Sequence, residues 1–338
     1  MALRLERRWV WDFWLAAKGD EHHLFFLNAP RSLGDPDLRH LHARIGHAVS
    51  TDLANWEILP SPFPTGPPGA WDDVATWTGS VIEDAGVWFM FYTGVSSRER
   101  NLVQRIGVAT SRDLITWEKY GDRPLIEADA TWYELLDAGV WHDQAWRDPW
   151  VFRDPHGNGF HALITARSRS GSPDSRGVLA HATSQDLLNW EVQPPIETPR
   201  GFGQMEVPQV VQTDEGALLL FSVHETHVSE SRRRHGGTAR SGTYVVHGAT
   251  LLGPFPVPDS TPIYPYTSLY SSRLVPHGGR LVLLGFIDVI DGEFVGEISD
   301  PVTFDPHHRP VDLQQEGASI GADQAIIPMI TVPPEQAL

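Results

Sequence analysis

The chain of 338 residues contains no cysteine. Disulfides, thiolate metal sites and a cysteine nucleophile are therefore excluded, and the redox compartment leaves no mark on the composition. Cations are scarce. Lys and Arg number 26 against 43 Asp and Glu, a formal charge of −17 at pH 7. So acidic a surface repels phosphate backbones and argues against nucleic acid as a partner. No apolar run approaches the eighteen residues of a membrane span, so no membrane partner is expected. The N-terminus is basic but reaches Asp12 before a secretory-type apolar stretch develops, and there is no Asn-x-Ser/Thr acceptor. The expected location is the cytoplasm. Long amphipathic patterns are missing as well.

What the chain has in plenty is Trp (13), Gly (30) and Pro (27), a mixture that suits many short strands joined by turns. One segment occurs three times: IGHAVSTDLANWE at 45–57, IGVATSRDLITWE at 106–118 and LAHATSQDLLNWE at 179–191. In each, an aspartate (Asp52, Asp113, Asp186) stands four residues before a tryptophan (Trp56, Trp117, Trp190), which reads as blade core. The repeat is too long for a solenoid and suits propeller blades. Five aromatic or aliphatic strands accompany it, at 23–29, 87–94, 160–166, 217–223 and 280–286. The last four follow hairpin-type turns, DAG, DPHGNG, TDEG and PHGG. Before each of the five stands a segment with polar residues where a core strand should begin, marked by Asp12, Gly79, Asp148, Glu206 and Ser272. The prediction is an all-β, five-bladed β-propeller over residues 1–300, a single domain, with a Pro-rich tail, 301–338, packing on it or trailing from it. A β-sandwich or two smaller β domains is the alternative. In a propeller the innermost strand of each blade lines the central channel, so an axial pocket receives one contribution per blade.

Three of those positions are carboxylates: Asp12 in VWDFW, Asp148 in WRDPW and Glu206 in QMEVPQ. Singly, each reads as a solvated or salt-bridged acid. Embedded among apolar residues at equivalent blade positions, they are costly unless used. Paired carboxylates on a concave, Trp-lined mouth are what glycosidic cleavage requires: one as nucleophile or base, the other as acid.

These motifs resemble those of the five-bladed fructan-active glycoside hydrolases, the invertase, levanase and inulinase group with its levansucrase relatives, over about residues 9–288. The strand at 23–28 followed by 45–57 matches the group's HLFYQ and WGHAVSxDLxHWE. Trp77-Thr78-Gly79-Ser80 with FYTG at 91–94 resembles its SGS region, Arg147-Asp148-Pro149 is its RDP, and Glu206-Val207-Pro208 matches the strand of its acid/base. Trp11-Asp12-Phe13-Trp14 is closer to the W-D-x-W of levansucrases than to the N-D-P-N of invertases. The resemblance implies Asp12 as nucleophile, Glu206 as acid and then base, and Asp148 as transition-state stabiliser. It implies Arg147 as a residue that bonds a hydroxyl or orients a carboxylate, and Trp77 and Ser80 as walls of the sugar subsite. The substrate would be a small carbohydrate carrying a β-fructofuranoside, with fructosyl transfer as a companion reaction, no cofactor, and a carboxyl separation of ~5–5.5 Å for retention. The group's usual C-terminal β-sandwich does not fit in this length.

Weaker signals read two ways. Asn28 bonds sugar or closes a turn. Trp14, Trp141 and Trp146 are core or sugar platforms. His224, in His224-Glu225-Thr226-His227, reaches the pocket or satisfies its loop. Tyr270, with Tyr264 and Tyr266, faces the channel or fills core. The sixteen histidines hold no HExxH, and no metal is expected. An inverting arabinan- or xylan-active propeller and a non-catalytic sugar-binding propeller are the competing functions. Oligomeric state is not encoded in any of these features.

Overall fold

The computed structural model describes residues 3–138, 140–263 and 268–304. Five four-stranded antiparallel sheets follow one another along the chain. Blade one is β1 (Arg8–Lys18), β2 (Glu21–Pro30), β3 (Arg44–Ser50) and β4 (Glu57–Leu59); blade two is β5 (Ala75–Asp84), β6 (Val87–Val95), β7 (Gln104–Ser111) and β8 (Glu118–Lys119). Blade three comprises β9 (Trp146–Arg153), β10 (Phe160–Arg167), β11 (Gly177–Ser184) and β12 (Trp190–Gln193). Blade four comprises β13 (Glu206–Thr213), β14 (Gly216–Val223), β15 (Gly242–Gly248) and β16 (Thr261–Pro262). Blade five comprises β17 (Leu269–His277), β18 (Arg280–Ile290), β19 (Glu293–Ile298) and β20 (Val302–Thr303), with β20 pairing on β18. The inner strands touch in cyclic order, β1 to β5, β9, β13, β17 and back to β1. Leu3, ahead of β1, bonds Ile298 of β19 in both directions, at 2.9 and 3.1 Å, and so fastens the segment leading into the first blade to the last blade.

The five strong apolar strands of the sequence are the second strands, β2, β6, β10, β14 and β18, each fed by a tight turn. At the last of these turns Gly278 and Gly279 both take positive φ (57° and 75°), the geometry that matches strand twist in a two-residue hairpin. The core lies between blades. Trp117 of blade two meets Phe25 of blade one edge-on (5.6 Å, 88°), and Trp190 of blade three meets Phe91 of blade two in the same way (5.4 Å, 85°). Trp117 is buried, whereas Trp56 and Trp190 are half-buried and pack against the core from its edge. The recurring aspartate ahead of each Trp caps its own turn. Oδ1 of Asp113, for example, accepts from the N–H of Ile115 (2.8 Å) and of Thr116 (2.7 Å). This lets Leu53, Leu114 and Leu187 bury fully at φ of 60°, 69° and 65°.

Of the tail at 301–338, residues 301–304 belong to blade five: Thr303 and Val302 pair with Val282 and Leu283, and Phe304 is buried. The rest of the tail, like Tyr264 and Tyr266, lies outside the described residues. Among the described residues no helix is long and apolar enough to cross a membrane.

Candidate active site

Every inner strand is interrupted once. The pairing register slips between Trp11 and Phe13 in β1, and between Trp77 and Gly79 in β5. It slips opposite Asp148-Pro149 in β9, between Glu206 and Gln209 in β13, and between Tyr270 and Arg273 in β17. A bulge adds a residue to one strand and re-aims its side chain. Four of the bulges hold a non-glycine residue at positive φ: Asp12 (25°), Asp148 (57°), Val207 (51°) and Ser271 (47°). Such backbone is strained and persists where surrounding structure enforces it. The blade-two bulge has no positive-φ residue; there Gly79 permits a close backbone approach, since a Cβ would stand 1.9 Å from the carbonyl oxygen of Phe91.

The bulges correct the blade alignment read from the sequence. The equivalent positions are Asp12, Thr78, Asp148, Val207 and Ser271, not Gly79, Glu206 and Ser272 in the second, fourth and fifth blades. Glu206 stands one residue earlier, in a second set with Trp11, Trp77, Arg147 and Tyr270. Asp12 and Asp148 therefore share one level of the pocket, while Glu206 belongs with a ring of aromatic and cationic side chains.

Asp12 accepts from Thr78 Oγ1 (2.7 Å) and Ser271 Oγ (2.6 Å), hydroxyls of the two flanking blades. Asp148 Oδ2 accepts from Thr165 Oγ1 (2.9 Å) and the Val207 N–H (3.2 Å) and lies 3.5 Å from Arg147 Nε. Glu206 takes one hydrogen bond per oxygen: Arg147 Nη2 donates to Oε1 (2.5 Å) and Tyr270 Oη to Oε2 (2.5 Å). Arg147 is held in turn by Gln104 and Gln204, both at 3.0 Å. Burial pushes the Asp12 carboxyl above the ordinary carboxylate range, and the Glu206 charge adds to this against the two hydroxyl donors. Burial likewise raises Asp148, with Arg147 opposing it. Burial also acts to raise Glu206, but Arg147 and Tyr270 outweigh it and hold that carboxyl below its usual value. Burial and the adjoining Glu206 push Tyr270 far up, so it remains a donor.

Of the remaining candidates, Trp77 stays at the rim: its Nε1 donates to the His40 carbonyl at 2.7 Å. Exposed His224 stands on the blade-four loop and caps the short turn Glu225–His227 through its ring. Three candidates move out of the pocket. Trp14, two residues past the bulge, is fully buried and stacks on Phe25 at 6.1 Å. Ser80, at the same offset in blade two, accepts from the Val151 N–H (3.1 Å) between blades two and three. Asn28 accepts from Arg8 Nε and donates to the Arg44 carbonyl (3.0 Å), so its amide is spent inside blade one. Strand alternation explains the first two, because the residues that follow a bulge turn back into blade packing. Trp146 is core against Tyr133 (5.0 Å), while Trp141 covers Arg167 (3.8 Å) and faces His227 (5.3 Å).

Sequence reasoning missed an outer wall. The connection from β2 to β3 folds over the mouth and carries Arg39, whose guanidinium lies 4.1 Å from the Phe294 ring and 5.6 Å from Trp11, and His40, edge-on to Trp11 and Trp77 at 6.2 Å each. Arg39 bears electrostatically on Asp12 and on Asp288, a blade-five carboxyl that burial raises. Nothing in a loop of irregular composition advertised these groups. Thr78, by contrast, sits inside a motif already singled out, and Ser271 stands between Tyr270 and Ser272, both named from the sequence.

Residues 14–293 match the family model for the glycosyl hydrolases family 32 N-terminal domain. The chain belongs to glycosyl hydrolase family 32. The family 32 match begins two residues after Asp12. An extracellular sucrase of Zymomonas mobilis is 27% identical over 299 residues, covering 73% of this chain and 68% of that protein. An Arabidopsis thaliana insoluble beta-fructofuranosidase isoenzyme is 28% identical over 170 residues, covering 48% of this chain and only 25% of that one. Among solved structures, an inulosucrase from Halalkalicoccus jeotgali bound to kestose superposes with a TM-score of 0.71 at 24% identity, over 86% of this chain and 79% of that one. At that identity the likeness speaks for the propeller.

Proposed function

We propose that the protein is a retaining glycoside hydrolase of β-fructofuranosides, of the sucrose, fructo-oligosaccharide or fructan type, with fructosyl transfer as a companion reaction. The observation that carries the reading is the convergence of Asp12, Asp148 and Glu206 from blades one, three and four on one buried mouth, each held by donors from elsewhere in the chain. Membership of family 32 and the names of the similar sucrase and beta-fructofuranosidase point to the sugar.

In this mechanism Asp12 attacks the anomeric carbon while Glu206 gives its proton to the glycosidic oxygen. The bond to the leaving sugar breaks and a fructosyl ester on Asp12 forms. Glu206, now a carboxylate, takes a proton from water or an acceptor hydroxyl, and that oxygen displaces Asp12. Asp148 and Arg147 hold ring hydroxyls, and Asp148 offsets positive charge at the oxocarbenium-like transition state. The unliganded site keeps Glu206 ionised through Arg147 and Tyr270. A sugar hydroxyl that draws Arg147 away raises the Glu206 pKa and readies it as the acid, so sugar binding takes up a proton.

The test is a product assay on sucrose, a fructo-oligosaccharide and levan, with an arabinofuranoside as control and the first-formed anomer read by NMR. Release of β-fructofuranose that disappears in Asp12→Ala is expected. First-formed product of inverted configuration would replace the reading with an inverting propeller glycosidase. Activity on the arabinofuranoside alone would move the substrate to another pentose or hexose furanoside.

A further inference from the structure

Two residues past each bulge, the inner strands carry Trp14, Ser80, Trp150, Gln209 and Arg273. Four are neutral. Arg273 is a guanidinium 1% exposed in the interior. No carboxylate lies within ion-pair distance of it among the described residues, and its Nη2 is buried without a hydrogen-bond partner. A buried charge left in this state is expensive, and closing a propeller does not demand it; the other four blades close without one.

Its bonds are specific in another way. Nη1 donates to the carbonyls of Pro208 (2.6 Å) and Val207 (3.3 Å), and Nε to the carbonyl of Phe13 (3.3 Å). Phe13 follows Asp12 directly, and Val207 follows Glu206. The Trp150 ring lies 5.1 Å from the guanidinium. One blade-five side chain thus grips the backbone immediately behind the two groups that must act on opposite sides of one bond, and its charge bears on Asp148 and Asp12. Burial pushes the Arg273 pKa down to about 10, so it remains a cation at neutral pH.

We propose that Arg273 is a positioning residue that sets the Asp12–Glu206 separation from beneath the pocket and supplies a fixed positive charge behind Asp12 and Asp148. The proposal rests on the double-displacement reading above. Besides one another, Asp12, Asp148 and Glu206 are faced by other charged or titratable groups: Arg147 from blade three, Asp143 from the connection before it, Arg39 and His40 from the β2–β3 connection, His224 and His227 from blade four, and Tyr270 and Asp288 from blade five. Arg273 alone among them approaches through the backbone carbonyls rather than from the mouth.

Arg273→Met and Arg273→Lys separate fork from charge, because lysine keeps the cation but loses the planar donor set. With sucrose, Arg273→Met is expected to lower kcat at least tenfold with KM within about twofold, and to move the acidic limb of the pH profile up by ~0.5–1 unit, since Asp12 must be ionised to attack. Arg273→Lys should restore the acidic limb while kcat stays several-fold low. Wild-type kcat in Arg273→Lys, or an acidic limb unmoved in a folded Arg273→Met, overturns the proposal. Should Arg273→Met not fold, the kcat of Arg273→Lys decides. Carboxyl-carbon NMR titration of Asp12 and Asp148 gives a readout independent of turnover. Unchanged titration in Arg273→Met overturns the charge role, even if the wild type cleaves no fructoside and the functional reading is what fails.

Discussion

Asp113, at an outer turn of blade two, and Asp148, on the inner strand of blade three, satisfy the same need for hydrogen-bond donors in opposite ways. Asp113 draws its donors from within three residues: Ser111 Oγ (2.9 Å) and the N–H groups of Ile115 and Thr116. It is exposed, and these bonds hold its pKa down to about 2. Asp148 is buried and draws on another strand and another blade, Thr165 and the Val207 N–H, and burial pushes its pKa up. A carboxylate held by its own turn is placed by a few residues of sequence alone. One suspended from distant strands is as precise as the fold that carries it, and keeps its free edge toward the pocket.

The sharpest test of that contrast is Asp12→Ala, which should lower turnover by on the order of 10⁴-fold or more while leaving the denaturation midpoint at or above wild type. Substantial residual turnover would remove Asp12 from the mechanism. Asp148→Asn should cost on the order of 10³-fold, chiefly in kcat, read by steady-state kinetics on sucrose.

Next in size is an acid instability that belongs to neither kind of carboxylate. His23 and His47, and at the same diagonal in blade three His161 and His181, are hydrogen-bonded ring to ring at 2.9 Å. Burial, then the partner ring, pushes His47 and His181 down to about 4. The unfolded chain titrates these rings near 6.5. Between those values the unfolded state binds more protons, so stability is lost as pH falls through that window. Urea midpoints at pH 7 and pH 4.5 should differ, and His47→Gln with His181→Gln should flatten the difference.

Asp113→Ala should cost about 1 kcal/mol of stability and leave kcat unchanged, as loss of a local cap does; a kinetic effect would erase the distinction drawn here. The smallest expected effect is that of Tyr270→Phe. Tyr270 lowers the Glu206 pKa by donating to it, so its removal raises that pKa, and the basic limb of kcat moves to higher pH. A basic limb moving down would place the acid elsewhere.

Blade number, the second strands, the capped turns and three site carboxylates were legible because each is written in a short window: an alternating apolar run, a turn tripeptide, an Asp two residues ahead of its donors. Asp12, Arg147, Asp148, Glu206, Trp77 and Tyr270 gather at the interrupted ends of the inner strands, with Glu206 one residue before the bulge position assigned to it. Trp14 and Ser80 turn into blade packing, because a bulge shifts facing by one residue and leaves no mark in composition, and the Asn28 amide is taken up by Arg8 and the Arg44 carbonyl inside blade one. The level of Glu206 relative to Asp12, the Arg39–His40 wall and the grip of Arg273 on Phe13 and Val207 depend on contacts between blades up to 260 residues apart in sequence. The chain alone determined which residue types the channel receives. Tertiary structure decided their height, their charge state and their partners, since desolvation and donor supply are set by what closes around a side chain rather than by its neighbours in sequence.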